Sequence, residues 1–267
     1  MQSKHPGIIA LIATSAILLA ACRGGSEPPV VVFPPTMPAA EAQQTPGIST
    51  NSGLCQNDLF PVKPGATWTY LSTGGPGGDF AYTNSITEVR ENGFILSAAF
   101  ADLTRTQEWS CEPGGLKALQ LGGDSIAGIS TQTMTAEFTT IAAEGLSLPR
   151  EITSGMQWQF NLGLEGSVAM PGEQQTQSTG AYSVAMQALG RESVTVPAGT
   201  FEAVKIQATT TVQLNADFQG VPVPITANVS SILWFAPGVG FIKSIENSDF
   251  SGSPYTATTE LQTYTIP

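Results

Sequence analysis

Few side chains in this chain could do chemistry, and most catalytic schemes fail on the inventory. Its 267 residues contain one histidine, His5, close to the N-terminus. Without an imidazole further along, Ser-His-Asp hydrolysis, Cys-His catalysis and histidine-ligated metal sites drop out. Carboxylate pairs, a Ser/Lys dyad or an oxygen-bound cation remain. Glu88 and Glu91 are neighbours, but their odd separation sends them to opposite faces of a strand. Glu108 and Glu112 flank Trp109, an arrangement that glycosidase acids use when a cleft lies between them. A solvated face is the plainer reading of that pair. The nearest approaches to a Ca²⁺ cage are Asp79 after Gly77-Gly78, and the group Glu246, Asn247 and Asp249, each short of the oxygen count such a cage needs. Lys63, Lys117, Lys205 and Lys243 are too scattered for a Ser-Lys motif. The expectation is a protein that is not an enzyme, with no catalytic residues, no metal and no cofactor.

Charge narrows the partners. Ten Lys and Arg stand against 21 Asp and Glu, giving a net charge of −11, and no basic cluster occurs anywhere. Such a chain is unsuited to nucleic acid, whose binding rests on neutralising phosphates.

The N-terminus reads as an export signal. Lys4 and His5 precede an apolar run from Ile8 to Ala21, 14 residues long, where a spanning helix needs roughly 20. Leu19-Ala20-Ala21-Cys22 resembles the lipobox of bacterial lipoproteins, against the alternative of an ordinary signal peptide. That resemblance implies cleavage before Cys22, diacylglycerol on its thiol and acylation of the new N-terminus. Two or more acyl chains anchor a protein firmly, at about 0.8 kcal/mol per buried CH₂. Arg23 follows, not the Asp that retains such proteins on the inner membrane, so the resemblance points to a lipid anchor in the outer membrane, with the chain facing the periplasm or the surface. Loss of Lys4 with residues 1–21 takes the net charge from −11 to −12.

Residues 22–52 then form the lipidated Cys22 and a tether. Positions 23–52 hold six prolines, one basic residue and two acids, with no sustained periodicity. Such a segment cannot bury enough apolar surface to offset its ordering entropy. Fully extended, it reaches on the order of 90 Å.

Positioning falls to residues 53–267, long enough for one well-cored domain. Here the pattern has period two. Val204, Ile206, Ala208, Thr210, Val212 and Leu214 alternate with polar residues, and so do Val223, Ile225, Ala227 and Val229. Asp217-Phe218-Gln219-Gly220 between them makes a long hairpin. Met156, Trp158, Phe160, Leu162 and Leu164 alternate too, as do 81–91 and 255–266 more weakly. Even the best helical candidate, 133–144, alternates. The pattern predicts an all-β domain, antiparallel because the connections are short, of roughly ten strands. Cys55 and Cys111, an even pair in an exported chain, read first as a disulfide and otherwise as two buried thiols.

Three Pro-Gly turns punctuate the domain and carry a family resemblance. Phe60-Pro61-Val62-Lys63-Pro64-Gly65-Ala66-Thr67-Trp68-Thr69-Tyr70, the segment from Val194 to Ala203 (VTVPAGTFEA) and that from Trp234 to Lys243 (WFAPGVGFIK) occur in order. Together they resemble the DUF3108 and TapB-like group of exported bacterial proteins, near the lipoprotein-carrier (LolA/LolB-like) superfamily. The resemblance implies a strongly curved antiparallel sheet, a half-barrel, and a Cys55–Cys111 bridge that pins the first strand. It transfers no reaction.

A curved sheet with an aliphatic inner face could enclose an apolar ligand. Met156, Trp158, Phe160, Met170 and Met186 are the large residues that would line it; a solid core is the alternative. The leading expectation is therefore an envelope lipoprotein that binds a hydrophobic small ligand or an envelope protein. A surface scaffold with a filled core comes second, and a carboxylate-dependent hydrolase last.

Overall fold

The structure is a computed structural model, and it describes residues 53–122, 135–169, 175–218, 221–250 and 253–267. The leader and tether assigned to residues 1–52, and with them Cys22, lie outside the described residues, as do Met170 and the neighbouring positions 171–174.

From Gly53 onward the described chain is strand and turn. The strands are β1 (Thr67–Thr73), β2 (Phe80–Arg90), β3 (Gly93–Ala99), β4 (Thr104–Glu112), β5 (Gly115–Ala118), β6 (Thr135–Gly145) and β7 (Leu148–Pro149). The second half adds β8 (Gln157–Ala169), β9 (Thr176–Val196), β10 (Gly199–Phe218), β11 (Val221–Ala236), β12 (Gly240–Phe250) and β13 (Ser253–Thr265). All thirteen join one sheet in the order β6-β8-β9-β10-β11-β12-β13-β1-β2-β3-β4-β5-β7. Every pairing is antiparallel. The count exceeds the roughly ten read from the sequence because short pieces such as β5 and β7 are too brief to show a period.

The pairing explains the alternation. Val204 and Ile206 through Leu214 lie opposite Phe235 through Ile225, and the hairpin pairs continuously to Phe218↔Val221. The stretch 133–144, the best helical candidate, falls largely within β6. Period-two residues settle a strand because one face is buried and the other wet. The turns behave as their residues require: Gly65 and Gly238, with φ of 79° and 74°, follow a proline, and the turns close through Ala66 N–H to Lys63 O and Val239 N–H to Ala236 O.

The sheet curves into a half-barrel that is almost closed at one corner. Its two edge strands, β6 and β7, are consecutive in the chain, separated only by Leu146 and Ser147. Ser147 donates its N–H to Leu116 O and accepts the Ala118 N–H on Oγ, locking that corner. Away from it no ladder joins β6 to β5 among the described residues.

The end of the sheet holding this corner is its base, and residues 53–62 plug it. Cys55 is bonded to Cys111 of β4, with Cα atoms 4.9 Å apart. The buried Asn57 donates to Pro149 O at 3.1 Å, and Asp58 O accepts the Gly238 N–H. Phe60 packs its ring against Trp68, Phe94 and Trp109. Trp68, 2% exposed, donates Nε1–H to Val239 O at 2.6 Å. With Ile86, Leu116, Leu162, Ile206, Ile242 and Leu261 these rings form one continuous apolar core. The opposite end, where β1 passes into β2 and β3 into β4, is the mouth.

Candidate functional site

From the base towards the mouth the inner face changes character. On β1 the inward positions run Trp68, Tyr70, Ser72, all buried, while Thr69 and Leu71 face out. Ser72 lies opposite Thr259 and Phe80; Thr259 lies opposite Ser244; Glu246 lies opposite Ser231 and Ala257. Four serines, Ser72, Ser231, Ser244 and Ser248, are thereby buried on the inner face of the sheet. Thr259 donates to Ser72 Oγ at 3.2 Å, and Ser248 donates to Asn228 O at 3.1 Å. This wall of the half-barrel thus carries a strip of hydroxyls, with the half-buried Glu246 among them.

Beside this strip runs a track of rings. Tyr70 stacks on Tyr82 with centroids 5.1 Å apart, and Tyr82 on Phe100 at 5.4 Å. Phe80 lies 6.0 Å from both Tyr82 and Phe100. Tyr70 and Tyr82 are buried, Phe100 half-buried, and Phe80 is 36% exposed at the mouth. Leu103, whose backbone O accepts the Phe100 N–H, is 48% exposed. The track leads from solvent to the hydroxyl strip. Arg105, half-buried on β4 opposite Ala98, stands at the same end.

The residues named from the sequence as ligand-lining lie across the sheet. Trp158 is opposite Met186, which is opposite Ala208, which is opposite Ser231, itself opposite Glu246. Phe160 and Met186 are buried in the apolar core; Met156 and Trp158 are half-buried. Trp158 Nε1 is buried with no hydrogen-bond acceptor, an uncompensated donor on that face. Two recesses of about 210 and 470 Å³ indent the described surface, and neither is lined by these residues.

Of the acids singled out in the sequence, Glu88, Glu108 and Glu112 fall into ion pairs. Glu88 and Glu108 both bind Arg90, each at 2.7 Å, and all three are about half exposed. The Arg90 hydrogen bond, with its charge, holds the Glu88 carboxyl below the usual range. Glu112 is lowered by hydrogen bonds from Lys117 and then Ser110, with Lys117 2.8 Å away. Glu108 and Glu112 therefore share a solvated face and have separate partners. Glu91 lies just past the end of β2. On the outer face Glu192 accepts from Trp234 Nε1 at 2.7 Å and pairs with Lys205 at 3.2 Å, and Lys243 pairs with Glu260 at 2.7 Å. Asp79 accepts the Gly74 N–H, closing its own loop. Lys63 donates to the Pro267 backbone O. Among the described residues no three His, Cys, Asp or Glu side chains are grouped to hold a metal.

The ring track and the serine strip were missed in the sequence. Ser72 carried a signal, sitting two residues beyond Tyr70 in the same alternation; Ser231, Ser244 and Ser248 carried none without the register.

The family model described as DUF3108-like matches residues 124–260, from ahead of β6 to within β13. The chain belongs to the DUF3108-like family. No curated protein matches this DUF3108-like chain. Among solved structures it is similar to a protein from Bacteroides fragilis described as exported and as having a YmcC-like fold, at 15% identity over 79% of this chain and 100% of that one, with a TM-score of 0.48. It is also similar to a protein from Parabacteroides distasonis described as a lipoprotein, at 13% identity over 79% and 99% of the two chains, TM-score 0.47. The hypothetical lipoprotein YmcC from Escherichia coli is 10% identical over 79% of this chain and 87% of that one, TM-score 0.33.

Proposed function

We propose that this DUF3108-like protein is a lipid-anchored protein of the outer membrane whose half-barrel holds an amphipathic lipid, or the lipidic part of an envelope partner, at its mouth. Residues 1–21 are the leader, Cys22 the lipidated residue, 23–52 the tether and 53–267 the binding domain. The Cys55–Cys111 bridge fits an oxidising compartment outside the cytosol.

One observation carries the binding reading: rings run from the exposed Phe80 to the buried Tyr70 and end beside the buried hydroxyls of Ser72 and Thr259. An acyl chain gains by leaving water along the rings, and its polar end finds hydrogen-bonding groups where the rings stop. Neither the rings alone nor the hydroxyls alone would select such a ligand. A filled-core scaffold is the second reading, favoured by the unbroken packing around Trp68, Phe94 and Leu116.

The test uses protein purified without detergent. Native mass spectrometry is expected to find a co-purifying lipid, and a fluorescent fatty acid to bind saturably and be displaced by unlabelled oleate. Phe80→Asp, at the rim of the mouth, is expected to weaken that binding about tenfold while the protein stays folded, with a modest fall in melting temperature from the lost Tyr82 and Phe100 ring contacts. No saturable binding by wild-type protein would leave the scaffold reading standing.

A further inference from the structure

A guanidinium faces the interior at the mouth, and no acid answers it. Arg105 lies opposite Ala98, Ala98 opposite Asn84, and Asn84 opposite Trp68, so all four share the inner face. Arg105 and Asn84 are half-buried, and Ala98 between them is buried. The chain has 21 acids to ten bases, and Arg90, Lys117, Lys205 and Lys243 all sit on carboxylates. Among the described residues neither the Arg105 nor the Asn84 side chain has an ion pair or hydrogen bond. Their polar atoms are nonetheless open to solvent and not sealed in the core. Asp79, in a turn at the mouth, is taken up by the Gly74 N–H. A cation drawn partly out of water without a counter-charge costs stability, so its position calls for an anion from outside.

Arg105 and Asn84 flank Ala98 one strand to either side, roughly 9–10 Å apart at the backbone. The small alanine leaves the space between them open, and both side chains can reach one oxyanion above its methyl group. One rung nearer the mouth, on the same face, stand Tyr82, two residues before Asn84, and Phe100, two residues beyond Ala98, their rings 5.4 Å apart. The ring track therefore passes directly beside Arg105. At its other end, the wall of hydroxyls holds Glu246, five steps along the sheet from Arg105 in the order β12, β13, β1, β2, β3, β4. That end repels an anion, and the Arg105 end attracts one.

We infer that Arg105, with Asn84, holds the negatively charged group of the amphiphile, a carboxylate or a phosphate, while its chain lies on Tyr82 and Phe100. This rests on the mouth being a lipid site and adds the sign of the headgroup charge. The planar guanidinium takes two oxygens of an oxyanion at once, and the Asn84 amide donates to the same group. Charge-assisted hydrogen bonds are roughly twice as strong as neutral ones, so the charge sets the preference among ligands that share a chain. A neutral alcohol or glyceride leaves the guanidinium unanswered. An ammonium amphiphile meets repulsion there.

The experiment titrates full-length protein, purified without detergent, with four amphiphiles that share a dodecyl chain: dodecanoate, dodecyl phosphate, dodecanol and dodecyltrimethylammonium. Each is kept below its micelle concentration and followed by calorimetry. At least one anion is expected to bind about tenfold tighter than dodecanol. The ranking of the two anions assigns the source, a free fatty acid or a phospholipid. Arg105→Gln is expected to abolish that margin and leave dodecanol binding unchanged, Arg105→Lys to keep part of it, and Asn84→Ala to weaken the anion about threefold. The inference is overturned if neither anion binds tighter than dodecanol, if the ammonium amphiphile binds tightest, or if Arg105→Gln loses dodecanol as fully as the anion. In each of those cases the mouth remains a lipid site. Binding of none of the four by wild-type protein removes the lipid site itself, and this inference with it.

Discussion

Glu192 shows how one side chain on the outer face ties acid stability to an indole. Its carboxyl is held below the ordinary carboxylate range first by the Trp234 Nε1–H and then by Lys205, whose Nζ also lies 5.6 Å over the Trp234 ring. A carboxylate with a lowered folded-state pKa stabilises the fold above its unfolded pKa, and that contribution fades as pH falls through the folded value. Glu88 and Glu112 act in the same sense. Glu192→Gln is therefore expected to flatten the loss of stability between neutral and acid pH, read from urea melts at a series of pH values. An unchanged pH profile would count against the pairing. The group is well exposed, so the effect is small beside the core. Trp68 sets the other extreme: Trp68→Ala removes a fully buried ring and its bond to Val239 O, an expected cost of about 3–5 kcal/mol in denaturant melts. These residue-scale facts were only half legible in the sequence. Trp68 and Tyr70 were visible in the sequence as part of the family motif, and their burial came with the fold. Arg90 stands two residues from Glu88 on the same strand, but the partners of Glu108 and Glu112 were not legible, because Arg90 and Lys117 reach them from other strands.

Among the elements, the N-terminal plug and the β11 edge give the clearest tests. The plug is held by one covalent bond, Cys55–Cys111, between positions 56 apart. In the chain-entropy account such a loop contributes about 4 kcal/mol. Reduction is expected to lower the urea midpoint and to speed hydrogen exchange at residues 53–62 before the central strands open; equal exchange in both states would refute a pinning role. Beyond Val229 the outer edge of β11 has no partner strand among the described residues, and it carries Pro222 and Pro224 with the exposed Val221 and Val223. Proline is tolerated at an edge because its missing N–H faces solvent, and it denies a second chain that hydrogen bond. A Pro222→Thr/Pro224→Thr double variant is expected to form dimers or larger species on a sizing column while the wild type does not. Period-two alternation made the long strands readable, and Pro-Gly turns marked two of their ends. β5 and β7 were invisible, since four and two residues cannot show a period.

Across the whole molecule, the proposed arrangement separates three tasks: an anchor at Cys22, a base closed by a disulfide-bonded plug, and a mouth lined by rings, hydroxyls and Arg105. Cys22→Ala is expected to move the protein from the membrane pellet to the soluble fraction, followed by immunoblot; continued sedimentation would remove the anchor. The sequence alone determined that the chain after residue 52 is antiparallel sheet, because one oily face and one wet face recur at every second residue. It also determined that histidine chemistry is absent from that sheet and that Cys55 and Cys111 were available to pair. Tertiary structure alone decided what the inner face holds. Period two says which residues share a face of one strand; register says which strands bring them together. A buried serine therefore looks like an error in the pattern until Ser72, Ser231, Ser244 and Ser248 are seen to line one wall together, and Arg105 and Asn84 come together only because each lies opposite Ala98.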